Sequence, residues 1–577
     1  MKNHKLMSKI ILITFILIGI LSCTKSFLDY TPKGTITQAQ LANPTETENL
    51  VYSAYSSLGN SGWSVPYASD WVYGSVHADD AYKGGSGITD QGNIHNIEVY
   101  NLLVPTQTNF LNNTWVALYA NISRVNGVLK NLNALTDAQM PLRKVRIGEM
   151  RFLRGHFMFL LKRLFKYPVY TDENTPTDSL ALISNRKYTN DQLWDKIAAD
   201  FQAAVNVLPT TQPQIGRANL YAAQAYLAKV RLYQAYEQDD NNNVVNINQT
   251  KLQQVVTLCD QVINSGKYAL YDNIGKNFTY GYENGVESIF AIQYSAADGT
   301  QSGRVALDYG LNYNQSPSYG CCSFHNPSQN LVNAFKTQNG LPMFTTFNNT
   351  SLVNPSDFQT NTVDPRLDHT VGIPSHPFKY SPTFVVSTSW SRTPAVYGNF
   401  VAMKECQLPA NIVKVGAYFG SSQNIDILRY DDLLLIKAEA LIQLGQQAAA
   451  LPIINQIRTR AANSTAWLKD INGNNISNYN IATYQDGVNI NWTQANAFLA
   501  LQWERRLEFA MESPRFFDLV RWGIAAQTLN AYIAIEKTRH TFLASAAFTQ
   551  GRDEYLPIPQ AQINLVPQGV YVQNHGY

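Results

Sequence analysis

The chain has 577 residues, with 44 basic and 42 acidic side chains, 12% aromatic and 15% charged residues, and 33 tyrosines against 9 histidines. That length is enough for several domains or for one long repeat array with a large core. The formal charge of +2 falls to −1 once a leader containing Lys2, Lys5 and Lys9 is set aside, so the basic excess of a nucleic-acid binder is excluded. Aromatic richness with few charges suits sugar or peptide surfaces better than charged ligands.

The first 22 residues have the shape of a secretory leader, with lysines preceding an apolar run from Ile10 to Leu21 that is too short to span a membrane. Ile20-Leu21-Ser22-Cys23 closes it in the manner of a bacterial lipobox, which predicts acylation of Cys23 and a lipid-held mature chain. Residues 23–44 read as a lipidated tether, with Pro32 and Gly34 as punctuation, and residues 45–577 as a single domain.

Thr45-x-x-Glu48 predicts a capping box opening a helix that Gly59 closes. Trp115, Leu118, Tyr119, Ile122, Val125, Leu129 and Leu132 keep helical spacing, and a long helix from about Pro141 to Phe165 carries too many aromatics for one stripe, so it is buried on more than one side. Thr189-x-x-Gln192 caps a helix to Leu208, and Arg217–Tyr236 with Lys251–Gly266 form a helical hairpin. Between about 268 and 424 the texture turns to Gly, Pro, Ser, Thr, Asn and aromatics, which reads as a loop-rich insertion. Helix returns over Leu428–Ala462 as two facing helices across Gly445, with Pro452 placing the second start near Ala450 or imposing a kink. Such a pair cannot bury its own apolar face, so the helix pairs must stack. Helix lapses over Asp470–Asn491 and resumes from about Thr493 to Met511 and through Phe516 to Gly523. The Pro-rich tail is extended. The fold class is therefore all-α, or α-rich: a tetratricopeptide-like superhelix of helix pairs with a large loop-rich lobe.

Several motifs in order carry a family resemblance: FLDYTP after Cys23, HADDAYKGG, EMRFLRGHFMFLLKRLFKYPVY, NPSQNLVNAF, DPRLDHTV, RYDDLLLIKAEAL, INQIRTRA, WERRLEFAMESPRFFDLVRWG, and the closing LPIP with QNHGY. Together they resemble the SusD/RagB lipoproteins along nearly the whole mature chain. The resemblance implies four helix pairs in a right-handed superhelix, glycan bound at the loop-rich lobe without catalysis, and no cofactor. It also implies an outer-membrane location facing the cell exterior, and a TonB-dependent barrel of the SusC type over which the lipoprotein sits as a lid. Three features depart from the pattern: Thr24-Lys25-Ser26 precede the first acid, Ser513-Pro514 stand where a glycine is usual, and Gly155 stands where alanine is usual.

Glu504, Arg505, Arg506, Glu508, Arg515, Asp518 and Arg521 crowd one stretch. Paired carboxylates at that spacing could serve glycoside hydrolysis, but alternating arginines favour a structural ion network, with Arg151, Arg154 and Arg163 as further partners or lid contacts. Asp79-Asp80 suits a cap or turn first and sugar contact second, and EF-hand spacing is absent. His77, His325 and His376 are dispersed, and Cys259, Cys321, Cys322 and Cys406 lack CxxC spacing, so no metal site is expected and disulfide pairing stays open. Sugar recognition needs a flat apolar face flanked by planar polar groups. The expected glycan contacts are the loop aromatics Trp71, Tyr73, Tyr82, Tyr313, Tyr319 and Phe324, assisted by Asp79, Asp80, Lys83 and Asn314. On that reading Trp71→Ala spares folding and weakens binding alone.

Overall fold

The computed structural model describes residues 43–577 except 60–64, 66–67 and 301–302; the leader, Cys23 and nearly all of the tether lie outside the described residues. Helix α1 spans Pro44–Ser56, and its cap is Asn43, whose side chain accepts from the Glu46 amide at 2.9 Å. The box expected at Thr45 fails because Pro44 already occupies the first turn. Glu48 instead reaches across to Arg146 and Arg217, each at 2.8 Å.

Next come α2 (Pro105–Ala134), α3 (Arg143–Phe165), α4 (Asn190–Val205), α5 (Leu220–Ala235) and α6 (Gln249–Ile263). After the insertion follow α7 (Tyr430–Gln443), α8 (Gln447–Asn463) and α9 (Gln494–Glu508). Each helix packs on its predecessor from α2 to α8, and α9 packs on both α7 and α8. The stack is thus an unbroken array of helix pairs, the architecture that apolar stripes on neighbouring helices require. The capping box at α4 is complete, with the Gln192 amide donating to Thr189 Oγ1 at 3.2 Å and the Thr189 amide to Gln192 Oε1 at 3.0 Å. Gly155 lets α3 approach α4: a Cβ there would lie 2.7 Å from the Phe201 ring, which itself stacks on Tyr226 with centroids 4.4 Å apart.

Gly445 stops α7 in the left-handed region, at φ +74°. The helix α8 begins at Gln447, earlier than Pro452 suggested, and runs through the proline. Only one hydrogen bond, to the Ala448 carbonyl, is forfeited there, and Pro452 sits on the exposed face. Helix α10 (Pro514–Arg521) follows α9, and α11 (Ala525–Arg539), which the hydrophobic pattern does not single out, packs behind it.

The lobe is irregular and stitched by two-stranded ribbons. Strand β1 (Ala81–Gly84) pairs antiparallel with β3 (Phe324–Pro327), and β2 (Ser288–Ile292) with β4 (Ile425–Arg429). Because β2 leaves the solenoid early in the insertion and β4 re-enters it at α7, their pairing closes the lobe's neck.

Where the late motif lacks its glycine, Ser513 itself adopts the left-handed conformation, at φ +81°, directly before a proline. That turn presses on Gly74, whose hypothetical Cβ would lie 1.9 Å from the Ser513 carbonyl oxygen. Left-handed backbone costs a β-carbon-bearing residue about 1–2 kcal/mol, and glycine's extra freedom in the unfolded chain offsets part of this. Ser513→Gly is therefore expected to raise unfolding free energy by up to about 1 kcal/mol in urea titration; a loss of stability would contradict this account.

Candidate functional site

The ten side chains expected at the glycan are all buried, and the structure gives them internal partners. Trp71 is 1% exposed, lies in a π-helical turn (Trp71–Val76), and donates its indole N–H to the Asp308 carbonyl at 3.1 Å. The Tyr73 hydroxyl meets that of Thr114 at 2.8 Å, and the Tyr82 hydroxyl donates to Glu536 at 2.5 Å. Lys83 donates to three carbonyls, of Gly84, Gly87 and Asp90, at 2.7–2.9 Å, and burial lowers its pKa to about 8. Tyr313 and Tyr319 pack together at 5.1 Å, and the Tyr319 hydroxyl donates to the Gln407 carbonyl at 2.6 Å. Asn314 caps the Ser316 amide, and the ring of Phe324 lies under Lys83. The Asp79 carboxylate is engaged by arginines. It takes Arg515 in a bidentate pair at 2.8 and 2.9 Å, while Asp80 meets Arg506 at 3.3 Å. Burial pushes the Asp79 carboxyl up, but Arg506 and Arg515 outweigh it and hold the pKa at about 2. Composition that reads as exposed loop is here irregular backbone satisfied from within, so these rings present no face to a ligand. Cys321 and Cys322 are joined as a disulfide, and Cys259 and Cys406 are buried free thiols.

The charged stretch on α9 is an ion network. Glu504 and Glu508 are 0% exposed and share Arg366, at 3.0 and 3.1 Å. Arg458 completes Glu504, and Arg460 joins Glu508 to Glu287. Every carboxylate is occupied by a guanidinium and closed to substrate. Glu287, Asp431 and Glu508 form the one trio among the described residues close enough for an ion. Arg429 and Arg460 already supply its positive charge, and burial pushes the Asp431 carboxyl well up, which leaves the trio poorly suited to a further cation. Arg151 and Arg154 pair with Asp200 and Glu173, and Arg163 with Asp70; none of the three meets α9 as a partner in the network.

The described residues enclose several openings, including a groove of about 520 Å³ beside Tyr167, Arg186 and Tyr188, and two of them lie where solenoid meets lobe. One is a cavity of about 160 Å³ at the seam of solenoid and lobe, walled by Phe159, Phe278, Tyr309 and Phe509 and by Asp70, Lys404, Asp426 and Glu512. Its space suits a few ordered waters. Asp426 is bonded there to the Ser288 hydroxyl, and burial raises its carboxyl to about 7.

The other place is on the surface. Tyr280 and Tyr282 are 48% and 39% exposed, with Tyr271 and Trp467 half-buried beside them. Ring centroids lie 6.4 Å apart for Tyr271 and Tyr282, 5.8 Å for Tyr282 and Trp467, and 5.0 Å for Trp467 and Tyr380. A long-range tie assembles the cluster: Ser464, which caps α8, accepts from the Ile274 amide at 3.1 Å, and this sets Trp467 against the turn Ile274–Phe278. Gly275 is required beneath it, since a Cβ would lie 2.6 Å from the Tyr380 hydroxyl and 3.0 Å from Trp467. Lys276 sits over Tyr271 and Tyr282 at 5.9 and 5.5 Å and pairs with Asp272 at 2.6 Å. An open groove of about 680 Å³ continues from Tyr271 and Asp272 along α8 past Pro452, Gln456, Thr459 and Asn463. None of these rings and none of the groove's polar side chains was singled out from the sequence. The signal available was the tyrosine-glycine texture of YALYDNIGKNFTYGYENG at the start of the insertion.

Fold and surface together define a helical-repeat protein with aromatic rings on an open face. A profile described as SusD family matches residues 286–577, and another, described as starch-binding associating with outer membrane, matches residues 27–232. The chain belongs to the SusD family. A SusD-like protein of Formosa agariphila is 22% identical over 98% of this chain and 99% of its own; another from the same organism is 36% identical over a stretch covering 20% of each. Among solved structures, a SusD homolog from Bacteroides thetaiotaomicron superposes with a TM-score of 0.70 at 20% identity, covering 94% of this chain and 99% of that one. Surface glycan-binding protein A of the same organism, solved in complex with laminarihexaose, gives a TM-score of 0.63 at 21% identity, covering 92% and 99%. No helix of the described residues is long and apolar enough to cross a membrane.

Two outcomes follow from the buried charges. Glu504→Gln leaves Arg458 short of its counter-ion and is expected to cost about 3–5 kcal/mol in chemical denaturation; a neutral result would contradict the network. Asp426 holds its proton more tightly folded than unfolded, so its stabilising share is complete below about pH 4 and lost as pH rises through about 7. Asp426→Asn should therefore gain on wild type in melting temperature between pH 5 and pH 8, as scanning calorimetry at both values would show.

Proposed function

We propose that this protein is a noncatalytic receptor that binds an oligosaccharide at the Tyr271, Tyr280, Tyr282 and Trp467 surface and passes it to a TonB-dependent outer-membrane barrel of the SusC type. The surface rings carry the reading, with Tyr280 and Tyr282 exposed and Tyr271 and Trp467 half-buried, because sugar C–H faces pack on aromatic faces and the only other ring as exposed among the described residues is Tyr52. Family membership supports the ligand class, and a structural neighbour is solved with laminarihexaose. The lipobox supports attachment through acylated Cys23, with the protein outside the outer membrane. The occupied carboxylates of α9 support a role without hydrolysis.

Isothermal titration against a panel of neutral hexasaccharides tests the site. Tyr282→Ala and Trp467→Ala are each expected to weaken binding about tenfold, or 1.4 kcal/mol, with little change in folding. Trp71→Ala should instead cost about 3–5 kcal/mol of stability, as buried aromatic truncations do. Unchanged affinity in the Tyr282 and Trp467 variants would remove the ligand from this surface.

A further inference from the structure

The groove beside the aromatic cluster is lined mainly by uncharged groups. Its floor is one face of α8, where Pro452, Gln456, Thr459 and Asn463 recur at spacings of four, three and four and are all exposed. That stripe is about 16 Å long at 1.5 Å per residue, several sugar rings rather than one. Gln456 and Asn463 offer planar amides and Thr459 a hydroxyl, each able to donate and accept, which matches the hydroxyls of a sugar chain. The charges nearby are already spent. Lys276 and Asp272 pair with each other, and Arg460 beneath the groove is held by Glu287 and Glu508. Among the residues lining the groove the only cation, Arg460, is thus occupied, and an anionic sugar there would lie near Asp272 and Glu283.

Resting on the glycan reading of the aromatic cluster, we infer that the ligand is a neutral oligosaccharide of several units, held at one end by Tyr282 and Trp467 and along its length by the amide and hydroxyl stripe of α8. Tyr271 belongs to both the cluster and the groove and joins the two parts.

The test compares the wild type with a Gln456→Ala, Thr459→Ala double variant and with Trp467→Ala. Probes are neutral hexasaccharides (linear β-1,3-, β-1,4- and α-1,4-glucans), the matching disaccharides, and acidic hexasaccharides of galacturonate and alginate. Both stripe changes are at exposed helix positions and raise helix propensity, so folding is retained. The expected result is that at least one neutral hexasaccharide binds at least tenfold tighter than either acidic one. The double variant should lose about fivefold on the hexasaccharide and nothing on its disaccharide. Equal or tighter binding of an acidic probe overturns the charge selectivity. A double variant that binds the hexasaccharide like wild type, while Trp467→Ala loses affinity, overturns the α8 subsite and leaves the aromatic site standing. Affinity unchanged in Trp467→Ala, or no binding of any probe, overturns the glycan reading of the cluster and this inference with it.

Discussion

The sharing of Arg366 between Glu504 and Glu508 is the constraint on which the arrangement of this molecule depends. The two carboxylates stand one turn apart on α9 and would repel each other there without guanidinium partners. Arg366 comes from the lobe, whereas Arg458 and Arg460 come from α8. Burying this many charges carries a large desolvation cost, so the network adds little net stability over apolar packing. Removing any one member, however, strands its partner in a dry interior. The lobe is consequently fixed in position against the solenoid, and Glu287 at the start of β2 draws the lobe's neck into the same cluster.

Position is what the surface site needs. Its rings come from two segments nearly two hundred residues apart, Tyr271 to Tyr282 before β2 and Trp467 after α8. The contact of Ser464 with the Ile274 turn brings them together. Arg460 lies one turn before Ser464 on α8, so the buried ion cluster and the exposed aromatic cluster are two consequences of one helix end, charged inward and aromatic outward.

Much of the frame was legible in the residues. The capping box at Thr189, the left-handed stop at Gly445 and the multiply buried α3 all follow from local spacing, which is where helix signals reside. The α1 cap moved to Asn43 because a proline one residue later outranks a capping box that starts at Thr45. The site was much less legible. Trp71, Tyr82 and Tyr319 have loop-like neighbours, yet burial is decided by what arrives from elsewhere in the chain: Asp308, Glu536 and Gln407 lie far from them in sequence. For the same reason the tyrosines that are exposed carry no local mark distinguishing them from those that are not. The ion network was legible as a network, since alternating charges on an aromatic helix need partners, but the identity of those partners was not.

Helix α1 gives the molecule a mechanical property. Glu48 grips Arg146 on α3 and Arg217 ahead of α5, while Arg304 of the lobe holds the backbone and hydroxyl of Ser56 at the helix's far end. A pull on the chain at Asn43 would run along the axis of α1 and load these charge-assisted bonds together, in shear, instead of unzipping them one at a time. Tension applied at that end is thereby spread across solenoid and lobe alike.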